Sequence, residues 1–124
     1  MELAEQAKAN GEAAVGSLLV LDNTIIGEAS ENTKASKDVT QHAEILAIKD
    51  AINRGNLSKL ENSILYSTHE PCFMCSYVIR HHNIPTIVYQ KKVDSVGGIH
   101  SEFKVLRSTS NPAWGKPPAI FKVP

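Results

Sequence analysis

An α/β sandwich whose sheet is at least partly parallel is the fold class predicted by this 124-residue sequence, on three observations. From residue 42 onward strand-like runs alternate with helical ones, and parallel neighbouring strands need a crossover that a helix commonly supplies. Before that point the chain reads as a short helix followed by two strands and a tight turn. Finally, 42% hydrophobic residues in a chain of this length suffice for one core but not for two, so residues 1–124 are expected to form a single domain.

Taken in order, residues 1–11 carry Leu3, Ala4, Ala7 and Ala9 among polar residues and end at Asn10-Gly11, the pattern of the last turns of a helix with a stop, in a helix that looks clipped. From Ala14 to Ile26 an apolar run (Val15, Leu18, Leu19, Val20, Leu21) is followed by Asp22-Asn23 and then Thr24, Ile25 and Ile26, which predicts two strands joined by a tight turn. Residues 28–41 are polar and without period, hence a loop. The segment HAEILAIKDAINRG places Ile45, Leu46, Ile48, Ala51 and Ile52 near helical spacing and closes on Gly55. SILYST (63–68) predicts a strand, Pro71 suits the first position of a second helix running through Cys72, Tyr77, Val78 and Ile79, and TIVYQ (86–90) predicts another strand. Beyond Lys91, Gly97-Gly98, Pro112, Gly115 and Pro117-Pro118 interrupt regular structure, leaving a short helix near 101–107 and an irregular tail from about residue 108. The chain contains no internal repeat, linker or low-complexity block.

Composition narrows the partners. Thirteen basic and thirteen acidic side chains give a formal net charge of zero. A protein gripping a nucleic acid backbone usually carries a basic excess, because phosphate contacts supply most of the non-specific affinity, so only a local patch would serve here. No apolar stretch approaches bilayer length and MELAEQAKANGE is polar rather than signal-like, so a soluble cytoplasmic protein without membrane contact is expected. The two cysteines, Cys72 and Cys75, are too close to staple a small secreted fold and point instead to metal binding or redox chemistry.

Three side chains suited to zinc fall at the starts of the two predicted helices: His42 on the first, Cys72 and Cys75 one turn apart on the second. An i, i+3 pair faces one side of a helix, and the helix N-terminus favours the thiolate that a metal requires. Three protein ligands would leave a fourth position open, which distinguishes a catalytic zinc from a structural one and lets water there lose a proton near neutral pH. Glu44, two residues after His42, is placed to share the site without being a ligand, as a carboxylate that shuttles protons. Two other readings weaken on the same residues. A thioredoxin-like redox pair would lack its usual Trp-Cys-Gly-Pro setting and leave His42-Ala43-Glu44 without a role. A structural zinc module would need a fourth ligand from His69, His81, His82 or His100 and would leave Glu44 idle.

Together His42-Ala43-Glu44 and Pro71-Cys72-Phe73-Met74-Cys75 resemble the H-x-E and P-C-x-x-C signature of zinc deaminases of nucleic acid bases. The order of EAAVGSLLVLDNTIIGEASEN, DVTQHAEILAI, ILYSTHEPCFMC and TIVYQ is similar to bacterial guanine deaminases and tRNA adenosine deaminases of the cytidine deaminase superfamily, over roughly residues 10 to 100. The resemblance implies a three-layer α/β/α sandwich around a mixed five-stranded sheet, a homodimer, one zinc per chain on His42, Cys72 and Cys75, and Glu44 as the proton shuttle. It also implies that Asn32 hydrogen-bonds the substrate and that the backbone around Ala43 faces the bound ring. His69, between a strand end and the cysteine helix, is a further candidate for the pocket, with a surface position as its alternative. His81 and His82 read as residues of a helix end, and Trp114 and Phe121 as gap-filling or dimer-contact aromatics.

Departures from the family pattern bear on the substrate. Ala14 stands where relatives commonly have proline, His69 where the tRNA enzymes usually have leucine, and Ser76-Tyr77 where they have a small pair, and no basic C-terminal helix is evident. With the neutral charge, these differences favour a free purine or pyrimidine base or nucleoside, held in a pocket closed by Asn32, the His69 region and the loop Val96-Gly97-Gly98-Ile99-His100. The alternatives are wobble-adenosine deamination in tRNA and, outside enzymes, an inactive partner subunit of the same fold.

Overall fold

The computed structural model describes residues 2–124 and contains one five-stranded sheet of order β2-β1-β3-β4-β5. The chain runs α1 (Glu2–Ala9), β1 (Gly16–Leu21), β2 (Thr24–Ser30), α2 (Thr33–Ser36), α3 (Ala43–Asn53), a 3-10 segment (Leu57–Asn62), β3 (Ile64–His69), α4 (Phe73–His81), β4 (Thr86–Lys91), 3-10 turns at Val105–Arg107 and Pro112–Trp114, and β5 (Ala119–Lys122). β1 pairs antiparallel with β2 and β3, whereas β3, β4 and β5 are parallel, so the sheet is mixed as the resemblance implies. The hairpin turn is Asp22-Asn23, both at positive φ (51° and 63°), the conformation that matches strand twist and that Asp and Asn tolerate.

Strand alternation sorts the layers. Leu19, Leu65 and Ile87 stand in register on three neighbouring strands and are fully buried, together with Ile48 and Ala51 of α3 and Ile79 of α4. At Gly27, opposite Leu19, α3 packs directly on the strand: a Cβ there would overlap the Ala47 carbonyl and Ala51. Gly16 has the opposite parity and meets Leu3 and Ala4 of α1, which therefore covers the other face of the sheet. No described helix is long and apolar enough to cross a membrane.

Three sequence readings need correction, and one segment carried no reading. Residues 28–30 continue β2 and Thr33–Ser36 form one helical turn, so the polar loop is shorter than expected; Glu12 holds that turn by accepting from the Lys34 and Ala35 amides at 2.8 Å. Leu57–Asn62 is a 3-10 segment with Leu60 buried, signalled by no period long enough to notice. Pro71 is not the first helical residue, because Cys72 is the N-cap and α4 begins at Phe73. The tail is not irregular throughout, since β5 adds a four-residue edge strand against β4 and the Ala119 amide donates to the Pro85 carbonyl at 2.9 Å. Arg80, 2% exposed, anchors the tail by donating to the carbonyls of Val105 (2.8 Å), Ser108 (2.9 Å) and Gly115 (3.3 Å) and by lying over the Trp114 ring at 5.2 Å.

Candidate metal and active site

His42 and Cys72 are the N-cap residues of α3 and α4, and Cys75 sits three positions on, at the end of the first turn of α4. The parallel crossover from β3 through α4 to β4 sets α4 beside α3, and the two helix starts meet beyond the end of the central strand β3. There the His42 Nδ1 lies 3.6 Å from Cys72 Sγ and 3.5 Å from Cys75 Sγ. Zinc bonds of about 2.3 Å to sulfur and 2.0–2.1 Å to nitrogen at a tetrahedral angle place the two atoms about 3.5 Å apart, so this donor set has the size of a zinc site. All its ligand atoms fall within 4.8 Å of one another.

The protonation of the thiols agrees with a site prepared for a cation. The Cys72 thiol is pulled down to about 4, first by its hydrogen bond with Cys75 and against burial, with His42 adding a further bond. The same bond and burial push Cys75 up. The lowered thiol is the one that more readily gives the thiolate a metal requires, and Cys75 would have to lose its proton to join it as a ligand. His42 is raised, first by its hydrogen bond with Cys72.

Beside the ligands lies a cleft of about 150 Å³ lined by Val15, Glu31, Glu44, His69, Glu70, Val93 and Val96 as well as His42 and Cys72. Glu44 is 4% exposed, and burial pushes its carboxyl up to about 7 against a bond from its own backbone amide. His69 does line the cleft, half-buried, with Nδ1 3.1 Å from the Thr68 hydroxyl; burial and Lys91 hold its ring below the usual histidine value. Asn32 is not brought to the cleft wall: it is exposed, and its Nδ2 donates to Gln41 Oε1 at 2.8 Å, closing the loop on itself. Ala43 is wholly buried, and its amide donates to Glu31 Oε1 at 2.9 Å rather than standing open to a ring. A larger apolar cleft of about 480 Å³ between Phe73, Phe103, Val105 and Trp114 contains none of the three metal ligands.

Glu31 and Glu70 are the site residues that sequence reading missed. Glu70 is buried and organises the loop after β4: Oε1 accepts from the Val93 amide (3.1 Å) and lies 2.8 Å from His100 Nδ1, while Oε2 accepts from the amides of Ile99 (2.9 Å) and His100 (3.0 Å). Gly98 fits because any Cβ there would overlap the Ser76 hydroxyl, and its amide donates to the Pro71 carbonyl at 2.8 Å. The Val96–His100 loop therefore closes one wall, as expected, but a carboxylate holds it there. The one signal in the sequence is a glutamate directly before the Pro71-Cys72 pair.

Burial opposes ionisation of Glu70, yet the His100 ring and the Ile99, Val93 and His100 amides outweigh it and hold the carboxyl below its ordinary value. A depressed folded value means that the ionised group stabilises the fold above the ordinary glutamate pKa of about 4.3, and that this is lost as pH falls through the lower folded value. Glu70→Gln is expected to cost roughly 2–3 kcal/mol at pH 7, as for charge-assisted bonds to a buried group, with the difference from the parent shrinking below pH 4. Urea unfolding of both proteins from pH 7 to pH 3 checks this, because zinc loss on acidification affects both; a constant difference would contradict it.

The cytidine and deoxycytidylate deaminase zinc-binding region matches residues 1–91. The chain belongs to that family. Its relatives include the tRNA-specific adenosine deaminase of Aquifex aeolicus (strain VF5), 40% identical over 103 residues that cover 83% of this chain and 68% of the relative. That of Haemophilus influenzae (strain ATCC 51907 / DSM 11121 / KW20 / Rd) is 40% identical over 104 residues, covering 83% and 60%. The tRNA-specific adenosine deaminase 2 of Xenopus tropicalis is 34% identical over 110 residues, covering 84% and 65%. The chain thus spans between 60% and 68% of the length of these relatives. Among solved structures, one from work on A-to-I editing by tRNA:A34 deaminases superposes with a TM-score of 0.84 at 31% identity, over 99% of this chain and 95% of the other. Guanine deaminase from Bacillus subtilis superposes with a TM-score of 0.69 at 25% identity, over 99% and 80%. The deaminase domain therefore has the fold that the resemblance implied, and among its described residues His42, Cys72 and Cys75 form a group that could hold a metal ion.

Proposed function

We propose that this deaminase domain is a zinc-dependent hydrolytic deaminase of tRNA, converting adenosine at the wobble position to inosine with release of ammonia. The observation that carries the reading is its 40% identity over 83% of the chain to tRNA-specific adenosine deaminases, supported by the 0.84 superposition over nearly its whole length. The sequence preference for a free base or nucleoside is the weaker reading, and its physical basis was too coarse. Total charge averages over the surface, whereas RNA meets only the rim of the cleft. On that rim Lys91 and Lys92 are exposed at the end of β4, and Lys91 pairs in register with the cleft residue His69. The solved guanine deaminase at 25% identity supports the free-base alternative.

In the mechanism His42, Cys72 and Cys75 would hold the zinc, which when bound would supply Lewis acidity toward water at neutral pH. Glu44 does the proton work. A buried carboxyl near 7 can accept the proton that water gives up, deliver it to a ring nitrogen, and later protonate the amine as the carbon–nitrogen bond breaks. Water is consumed, and the ring gains an oxygen and loses ammonia. His69 and the loop held by Glu70 would wall the substrate, and Asn32 and Ala43 are assigned no direct contact because the Asn32 side chain is bonded to Gln41 and the Ala43 amide to Glu31. Phe73, Tyr77 and Phe103 are exposed apolar side chains beside α4, Phe73 and Phe103 only 4.9 Å apart, and they mark the surface a homodimer would cover. With tRNA as substrate, the enzyme belongs in the cytoplasm.

Ammonia and inosine formation from a wobble-adenosine anticodon stem-loop, measured beside a panel of free bases and nucleosides at increasing salt, tests the proposal. Conversion of the stem-loop that falls steeply with salt is expected, since each phosphate contact adds about 0.9 to the logarithmic slope on duplex and about 0.7 on single strands. Turnover confined to free bases or nucleosides, with little salt dependence, would overturn it in favour of the free-base enzyme.

A further inference from the structure

The two N-cap residues, His42 and Cys72, make no side-chain capping bond to their own helices. A helix start leaves amides without partners, and the N-cap side chain ordinarily satisfies one of them. Here both side chains turn instead toward the metal cluster, so each helix must be capped from elsewhere. α4 uses backbone: the Phe73 amide donates to the Val96 carbonyl at 2.8 Å. α3 uses a side chain: the Ala43 amide donates to Glu31 Oε1 at 2.9 Å, while the Thr33 hydroxyl donates to Oε2 at 3.4 Å. Glu31 is 9% exposed, and its own amide donates to the Val15 carbonyl at 3.0 Å, which ties it to the chain just before β1.

We propose that Glu31 is a positioning residue that caps α3 in place of His42 and so fixes the direction from which His42 reaches the metal and Glu44 reaches the substrate. A buried carboxylate is costly unless its oxygens are well used, and Glu31 spends one on an amide at a positively polarised helix start. Removing it leaves the Ala43 amide buried without a partner and frees the first turn of α3 to shift. Both functional side chains of α3, His42 and Glu44, lie in or next to that turn. Only the kinetic half of the test rests on the tRNA reading, and the zinc half is independent of it.

The decisive property is the reach of the acceptor, and two substitutions separate reach from charge. Glu31→Gln keeps an oxygen at the same distance and loses the charge; Glu31→Asp keeps the charge but draws the oxygen back by one carbon–carbon bond, about 1.5 Å. Zinc affinity is read by competition with a chromophoric chelator, and kcat and KM on the anticodon stem-loop. Glu31→Asp is expected to weaken zinc binding about tenfold or more, as for other groups that orient a ligand, and to lower kcat about tenfold with KM changed less than about twofold. Glu31→Gln should lose no more than about threefold in either quantity, the smaller loss expected of a neutral acceptor. The reverse order, with Asp near the parent and Gln impaired, would overturn the proposal in favour of a purely electrostatic role. A rise in KM alone would overturn it in favour of substrate contact, and parent-like zinc affinity in both variants would overturn it outright. Absence of stem-loop turnover by the parent would sink the tRNA reading and leave the order of zinc affinities to decide Glu31.

Discussion

Glu44→Gln protein should keep its fold and its zinc and lose turnover by about 10²–10⁴-fold, the range that a positioned acid–base group contributes. Glutamine matches the shape of glutamate and can accept or donate hydrogen bonds, but it cannot take up a proton and release it again. The carboxyl that it replaces is buried beside the ligands and has been pushed up to about 7 by that burial, so it can serve on both sides of the proton transfer at neutral pH. Because Glu44 is not a metal ligand, one zinc per chain by elemental analysis and an unchanged circular dichroism spectrum should accompany the loss. Turnover within a few fold of the parent would remove Glu44 from the mechanism.

Replacing Cys75 by alanine should have the larger effect on the molecule as a whole. Cys75 is completely buried, and its sulfur lies 3.5 Å from His42 on a different helix, so a metal there joins α3 to α4. A ligand present at about 1,000 times its dissociation constant stabilises the folded state by about 4 kcal/mol. In a domain of this size that corresponds to a fall in Tm of roughly 10–20 °C when the ion is lost. The variant should therefore purify without zinc, melt near the temperature of the chelator-treated parent, and fail to recover stability on zinc addition, whereas the treated parent recovers. Full zinc content in Cys75→Ala protein, or a parent whose Tm ignores a strong chelator, would remove the three-residue cluster as the metal site.

The hairpin, α3, β3, α4 and β4 were all legible because each is decided within a few residues. Asp22-Asn23 occupies two positive-φ positions that few other pairs tolerate, and Gly55 at φ 83° closes α3 where the helical spacing of Ile45, Ile48 and Ala51 runs out. β5 was not legible. Four residues between Pro118 and Val123 carry too little alternation to mark a strand, and what makes them one is the open edge of β4 beside them.

For the site, residue type and local spacing, together with the resemblance of the H-x-E and P-C-x-x-C motifs to zinc deaminases, pointed to His42, Cys72, Cys75 and Glu44, because zinc needs N and S donors and a helix start or an i, i+3 pair aims them. Those constraints act over one helical turn and can be read along the chain. Asn32, Glu31, Ala43 and Glu70 depend on which segment lies against which. The Ala43 amide is satisfied by Glu31, twelve residues away, Asn32 turns to Gln41, and Glu70 binds amides 23 to 30 residues downstream. Hydrogen bonds of that range form only after the sheet has brought its loops together, so the metal ligands were written in the sequence, whereas the packing of the folded chain decided how they are held and what walls the cleft.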